Sequence, residues 1–87
     1  MSRAVRHFAS PAFWKCYHKL TKDFQKTADH KFNLLKLSRR HPSLQLKKVG
    51  KYWSVRVSIK HRALAVEYEG SLLWFWIGTH AEYDELL

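Results

Sequence analysis

Acidic residues are scarce in this sequence, and scarcest where basic ones are dense. Seven Asp and Glu face sixteen Lys and Arg in 87 residues, a formal net charge of +9. All sixteen basic residues lie between Arg3 and Arg62, where the only acids are Asp23 and Asp29, so that segment carries +14; from Ala63 onward five acids stand with no Lys or Arg, −5. Two-metal nuclease chemistry needs clustered carboxylates and is disfavoured by this distribution. Cysteine is nearly absent. The single Cys16 has no internal disulfide partner, reads as a small core residue, and fits a reducing, cytoplasmic setting. "CYH" offers one Cys and one His, and the other histidines are scattered, so neither a metal site nor another cofactor is expected. Long apolar runs are missing too. "SLLWFWIG" is the length of a strand rather than a membrane span, and "MSRAVRHFAS" lacks the apolar core of a secretory leader.

Aromatic residues, by contrast, are plentiful. Four Trp, four Tyr and five Phe give a chain of this size enough bulk for one hydrophobic core, and residues 1–87 read as a single domain without linker or repeat. Ser10-Pro11 has the form of an N-cap and first helical position. Phe13, Tyr17, Leu20, Phe24 and Ala28 recur at three- and four-residue spacing, which predicts one helix face, with Lys15, Lys19, Lys22 and Lys26 as a second stripe. A second helix is expected over about Asp29–Arg39, with Phe32 and Leu35 inward, ending before Pro42. The two form an αα-hairpin. Strands follow: a short one in "SLQLKKV"; "YWSVRVSI", with Trp53, Val55, Val57 and Ile59 on one face and Tyr52, Ser54, Arg56 and Ser58 on the other; "RALAVEY"; and "SLLWFWIGT", entered through a tight Glu69-Gly70 turn. "RAVRHFA" adds a possible edge strand, and "AEYDELL" a short final helix. The expected architecture is α+β: an N-terminal αα-hairpin packed on one face of a small curved antiparallel sheet, with the other face partly open and carrying Arg56. Phe13, Tyr17, Phe24, Phe32, Val55, Val57, Leu64, Phe75 and Ile77 are expected in or near the core.

This layout, with "HPSLQLKKV", "YWSVRVSIKHRALAV" and "WFWIGTHAEYDELL", resembles the RelE/ParE superfamily of toxins from toxin–antitoxin pairs over nearly the whole chain. The Trp-Ser-Val-Arg strand, the His-Arg that opens the next one and the "GTHAEYDELL" ending look closer to the RelE, YoeB and HigB mRNA interferases than to the ParE gyrase poisons. The resemblance implies ribosome-dependent cleavage of mRNA and an antitoxin encoded alongside. A ParE-like gyrase inhibitor and an inactive basic RNA-binding module are the alternatives.

Metal-free RNA cleavage uses the 2′-hydroxyl as internal nucleophile. It needs a group to accept that proton, a group to protonate the departing 5′-oxygen, and cations for the charge gathering on phosphorus. Histidine ordinarily titrates near neutrality, which suits His80, just past the last strand, to acid or base work; capping is its bland role. Tyr83 stands where relatives carry a Tyr that stacks on a base or assists proton transfer, and it would equally well pack the final helix. Arg62 matches the Arg of the interferases at this place, and Arg56 a basic strand residue; a planar donor fork suits phosphate. Pairing outward from Glu69-Gly70 sets Arg62 roughly opposite Ile77 to Thr79, close to His80. Lys47, Lys48 and Lys51 are candidate RNA contacts. Of the adjacent Lys47 and Lys48 only one can face the cleft, and strand parity leaves open which. The stripe Lys15, Lys19, Lys22 and Lys26 reads as a solvated face or a set of phosphate contacts to ribosomal RNA. Some RelE members carry a second Lys where this chain has Ser54, which places more weight on His80. The basic segment suits an acidic, partly disordered antitoxin that folds on binding and covers the cleft or displaces the last helix; ribosome and mRNA are the other expected partners, and no membrane is expected.

Overall fold

A computed structural model describes residues 6–38 and 41–87. Its helical hairpin breaks earlier than apolar periodicity suggests. Helix α1 spans Pro11–His18 and α2 spans Lys22–Leu37. Ser10 caps α1, its side chain accepting from the Phe13 N–H, and Pro11 sits where no amide donor is needed. The three- and four-residue rhythm runs on through Leu20, Phe24 and Ala28, but the backbone does not. Thr21 caps α2 by accepting from the Phe24 N–H, with Asp23 in the first turn. Gln25 Nε2 reaches back to the Tyr17 and Leu20 carbonyls at 3.2 Å each, satisfying acceptors that the end of α1 leaves open. The Tyr17 hydroxyl then ties the two helices together, donating to Asp29 at 2.8 Å. A hairpin broken at Lys19–Thr21 thus replaces the expected break at Asp29. It also divides the expected lysine stripe, leaving Lys15 on α1, Lys19 at its C-cap, and Lys22 and Lys26 on α2. Arg39, the expected end of the second helix, lies outside the described residues, as do residues 3–5 of the expected edge strand. His41 opens a short 3-10 turn, Pro42–Leu44, which buries Leu44 completely.

Among the described residues five strands make one sheet: β1 (His7–Ala9), β2 (Lys47–Val49), β3 (Tyr52–Ser58), β4 (His61–Tyr68) and β5 (Ser71–Thr79), in the order β1-β5-β4-β3-β2. From β2 to β5 they form the expected antiparallel meander. The sheet as a whole is mixed, however, because β1 lies parallel to β5, with Phe8 beside Leu73. Its connection to β5 runs through both helices and the whole meander, and local turn chemistry cannot reveal that direction. Glu69 and Gly70 both adopt positive φ, 49° and 78°, the two-residue turn whose twist suits a hairpin. Helix α3 (His80–Leu86) follows β5 without a gap.

Helices α1 and α2 cover one face of the sheet. Phe13, Ala28, Leu35, Leu44, Val55, Val57, Ala63, Ala65, Leu72, Trp74 and Ile77 form the buried core there, with Cys16, Tyr17 and Phe32 packed against it. Phe13, Val55, Val57, Leu64 and Ile77 are buried as expected, while Tyr17, Phe24, Phe32 and Phe75 are partly covered. Ile59 is not on the core face: it sits in the β3–β4 turn and is 75 % exposed. Phe75 departs for another reason. Leu64 pairs with Trp76 but Ala65 with Trp74, so Phe75 is an extra residue in β5. This bulge breaks the two-residue alternation. Trp74 and Ile77 both face the helices although they stand three positions apart, and Phe75 and Trp76 both turn to the opposite, open face. There Phe75 meets Tyr52 with ring centroids 5.5 Å apart.

Candidate active site

Strand register brings the candidate cations together on the open face. Arg56 of β3 pairs directly with Arg62 of β4, and Arg62 pairs on its other side with Gly78 of β5. This agrees with the position read outward from the hairpin turn. Like charges held opposite one another on a sheet oppose folding. Burial, and then the nearby Arg56, pull the Arg62 guanidinium below its usual pKa, while Tyr83 and Asp84 counter them. Arg62, Arg56, Tyr83 and Asp84 therefore share one electrostatic neighbourhood.

Arg62 also has a structural task. Its Nη1 donates to the carbonyls of Ser58 at 2.6 Å, His61 at 2.9 Å and Ile59 at 3.5 Å, drawing in the β3–β4 turn. All these bonds run through one nitrogen, which leaves Nη2 and Nε without a hydrogen-bond partner among the described residues. The same turn positions His80, whose backbone N–H donates to the Lys60 carbonyl at 2.7 Å. One short turn thus sets the guanidinium and the histidine backbone together.

His80 does not cap the last helix. Thr79 does: its side chain accepts from the Glu82 N–H, and Glu82 Oε1 accepts in return from the Thr79 N–H at 3.0 Å and Oγ1 at 2.9 Å. These bonds hold the Glu82 carboxyl below its usual pKa, with smaller help from Lys19 and His61. His80 is the first helical residue. Its imidazole is about half exposed (47 %), and Nδ1 lies 3.1 Å from Asp84 Oδ2 one turn on. Its ring centre is 5.8 Å from that of Tyr83. Tyr83 is only 8 % exposed, so its ring packs α3 onto the sheet, as the bland reading of that residue expects.

Gly78 matters for space rather than for turning. It lies inside β5 with no unusual φ, and a Cβ placed on it would stand 2.5 Å from Trp76 Cζ2 and 3.1 Å from Glu82 Oε1. The Trp76 indole therefore lies over bare backbone beside Arg62.

The remaining candidates separate. Lys47 pairs with Ser54 and so shares the face of Arg56; Lys48 pairs with Trp53 on the helix side and meets Glu67 at 3.8 Å. Lys47 is therefore the one of the two that belongs to the open face. Lys51 sits in the β2–β3 turn with Nζ 5.5 Å from the centre of the Tyr52 ring. Lys15, Lys22 and Lys26 belong to the helical hairpin, whereas Lys19, at the α1 C-cap, is close enough to Glu82 to act on its carboxyl. Ser54 is buried on the open face at 2 % exposure.

Three participants were not legible in the sequence. Asp84 shows itself only through i,i+4 spacing from His80, a signal available in principle. Trp76 reaches the open face only because of the bulge. His61 is 5 % exposed, 4.0 Å ring to ring from Phe24, with Nδ1 3.1 Å from Ser58 Oγ. Burial first, and Lys60 second, lower its pKa against the opposing effect of Glu82. Among the described residues no group of three or more His, Cys, Asp and Glu converges in a way that could hold a metal ion.

A mixed sheet ordered β1-β5-β4-β3-β2, backed by a helical hairpin and followed by a short helix, defines a class of fold. The chain has a RelE-like α+β fold. It matches a chain of the RelB–RelE antitoxin–toxin complex from Methanococcus jannaschii with a TM-score of 0.72 at 11% identity, covering 92% of this chain and 98% of that one. It matches the YoeB dimer from Staphylococcus aureus with a TM-score of 0.65 at 14% identity, over 90% of this chain and 99% of that one. The isolated RelE toxin of E. coli matches with a TM-score of 0.62 at 12% identity, over 95% and 96%. No family model matches the sequence, and none of the curated protein sequences matches it.

Proposed function

We propose that this protein is the toxin of a toxin–antitoxin pair and that it inhibits translation by cleaving mRNA on the ribosome without a metal. The observation that carries the reading is the Arg56–Arg62 pair, two cations held face to face at the rim where β5 delivers His80. Such a pair opposes folding and suits an anion. In this reading Arg56 and the free nitrogens of Arg62 hold the scissile phosphate. The 2′-oxygen attacks phosphorus as its proton passes to a solvent water. The P–O5′ bond breaks, its electron pair goes to the 5′-oxygen, and protonated His80 supplies the proton that oxygen needs. The products are a 2′,3′-cyclic phosphate and a 5′-hydroxyl. Lys47 extends the positive face along β2, and Tyr83 serves by packing. The reading places the protein in the cytoplasm, with ribosome and mRNA as its substrate complex.

An acidic antitoxin completes the proposal. The matched M. jannaschii structure is an antitoxin–toxin complex, and a further match, with a TM-score of 0.59, is a YoeB–YefM complex from S. aureus. The +14 segment is complementary to an acidic partner of that kind.

The test is purified protein added to ribosomes programmed with a defined mRNA, with the 5′ ends mapped. Cleavage at discrete positions is expected for the native protein, and loss of about 100-fold or more for His80→Ala and for Arg62→Ala. Because Arg62 also draws in a turn, folding of each variant is checked by thermal melting. Native protein that leaves mRNA whole while blocking gyrase supercoiling would overturn the nuclease reading.

A further inference from the structure

Helix α3 carries three acids, and they do different work. Glu82 is spent on the cap, both its bonds going to Thr79. Asp84 instead lies one helical turn beyond His80, its Oδ2 3.1 Å from the imidazole Nδ1. A carboxylate is an acceptor only, so the nitrogen facing it carries the proton. That leaves Nε2 as the nitrogen that gains and loses a proton, and Nε2 has no partner among the described residues. The helix that carries both residues is anchored at its start. The reciprocal Thr79–Glu82 cap and the His80 N–H bond to Lys60 hold its first turn, and Tyr83, between the two residues in sequence, is buried against the sheet. Asp84 also acts on Arg62, opposing the repulsion from Arg56. The carboxylate therefore serves both the imidazole and the cation of the proposed site.

We infer that Asp84 is a positioning residue for His80: it fixes the imidazole in the Nδ1–H form and presents Nε2 to the departing 5′-oxygen. This rests on the proposed nuclease reading. An exposed i,i+4 ion pair that merely supported the helix would contribute a little to stability and would leave the tautomer and the chemistry alone. The role differs from that of a group touching RNA, since Asp84 acts through His80 and bears no proton in the step.

The experiment compares native protein with Asp84→Asn, Asp84→Glu and His80→Ala. Two readouts are used: single-turnover cleavage of ribosome-bound mRNA as a function of pH, and the His80 ring nitrogens by 15N NMR. For Asp84→Asn the inference expects a shift of neutral His80 toward the Nε2–H tautomer, a rate about 10- to 100-fold lower with a displaced pH profile, and an unchanged fold. Asp84→Glu, which keeps the acceptor, is expected to restore part of the rate. An unchanged tautomer or an unchanged rate and pH profile in Asp84→Asn, with cleavage still lost in His80→Ala, would overturn the positioning role and leave the nuclease reading standing. Full cleavage by a folded His80→Ala would overturn the histidine's part in that reading and the role of Asp84 with it.

Discussion

Arg56 and Gly78 make opposite demands on the fold. Arg56 faces Arg62 across the strand pair, and a like-charge pair in that position is destabilising by roughly 0.2–1 kcal/mol. Arg56→Gln should therefore leave thermal stability equal or slightly raised while lowering mRNA cleavage. A melting temperature and a cleavage rate measured on the same preparation check both halves, and a joint fall would mean that Arg56 is structural. Gly78 is required by its neighbour. Any side chain there collides with the Trp76 ring, and Gly78→Ala should destabilise by about 1–3 kcal/mol, as overpacking does. Denaturant unfolding measures this directly. If the variant is as stable as the native chain, the indole must have another place to go.

At the scale of elements, α3 is a seven-residue helix held by its cap, the His80 N–H bond to Lys60 and one buried ring. Thr79→Ala removes the hydroxyl that accepts from Glu82 and should cost about 1 kcal/mol. Its larger effect should be local. Amide hydrogen exchange is expected to quicken over His80–Leu86 while β3 to β5 stay protected, and cleavage should fall because His80 rides on that helix. Equal protection throughout would show that Tyr83 and the bond to Lys60 secure the element without the cap. The αα-hairpin shows what local signals can and cannot tell. Ser10-Pro11 declared the start of α1 correctly. The Thr21 cap was equally present in the sequence, but the apolar rhythm running through it concealed the break, since a helical turn and a tight interhelical corner can keep the same buried side chains inward. The β5 bulge had no local signal of any kind. Only the pairing with β4 reveals that Phe75 is the extra residue, and with it that Trp76 lies on the open face.

The whole molecule should respond to pH through His61. Its folded pKa is lowered, chiefly by burial against Phe24, so the unfolded chain binds the proton more readily. Stability conferred by keeping His61 neutral is fully present above the ordinary histidine value, falls as pH drops through the window just beneath it, and levels off below the folded pKa. Melting temperature against pH should show this slope, and His61→Gln should flatten it. Glu82 acts at lower pH. Its carboxyl is held below the usual range by Thr79, so its share is present above the ordinary carboxylate value and is lost as pH falls toward the folded pKa. No helix of the described residues is long and apolar enough to cross a membrane.

Composition and short-range pattern determined the α+β class, the antiparallel run from β2 to β5, the Glu69-Gly70 turn, and the pairing that brings Arg62 near the end of β5. Each of these follows from periodicity, charge or a turn that neighbouring residues set among themselves. The direction of β1, the face of Lys47 and the place of Trp76 on the open face were decided only by the tertiary structure. Those depend on which strand pairs with which and in what register. A single extra residue in a strand exchanges its faces, and contacts distant in sequence, not the local alphabet, determine where that residue falls.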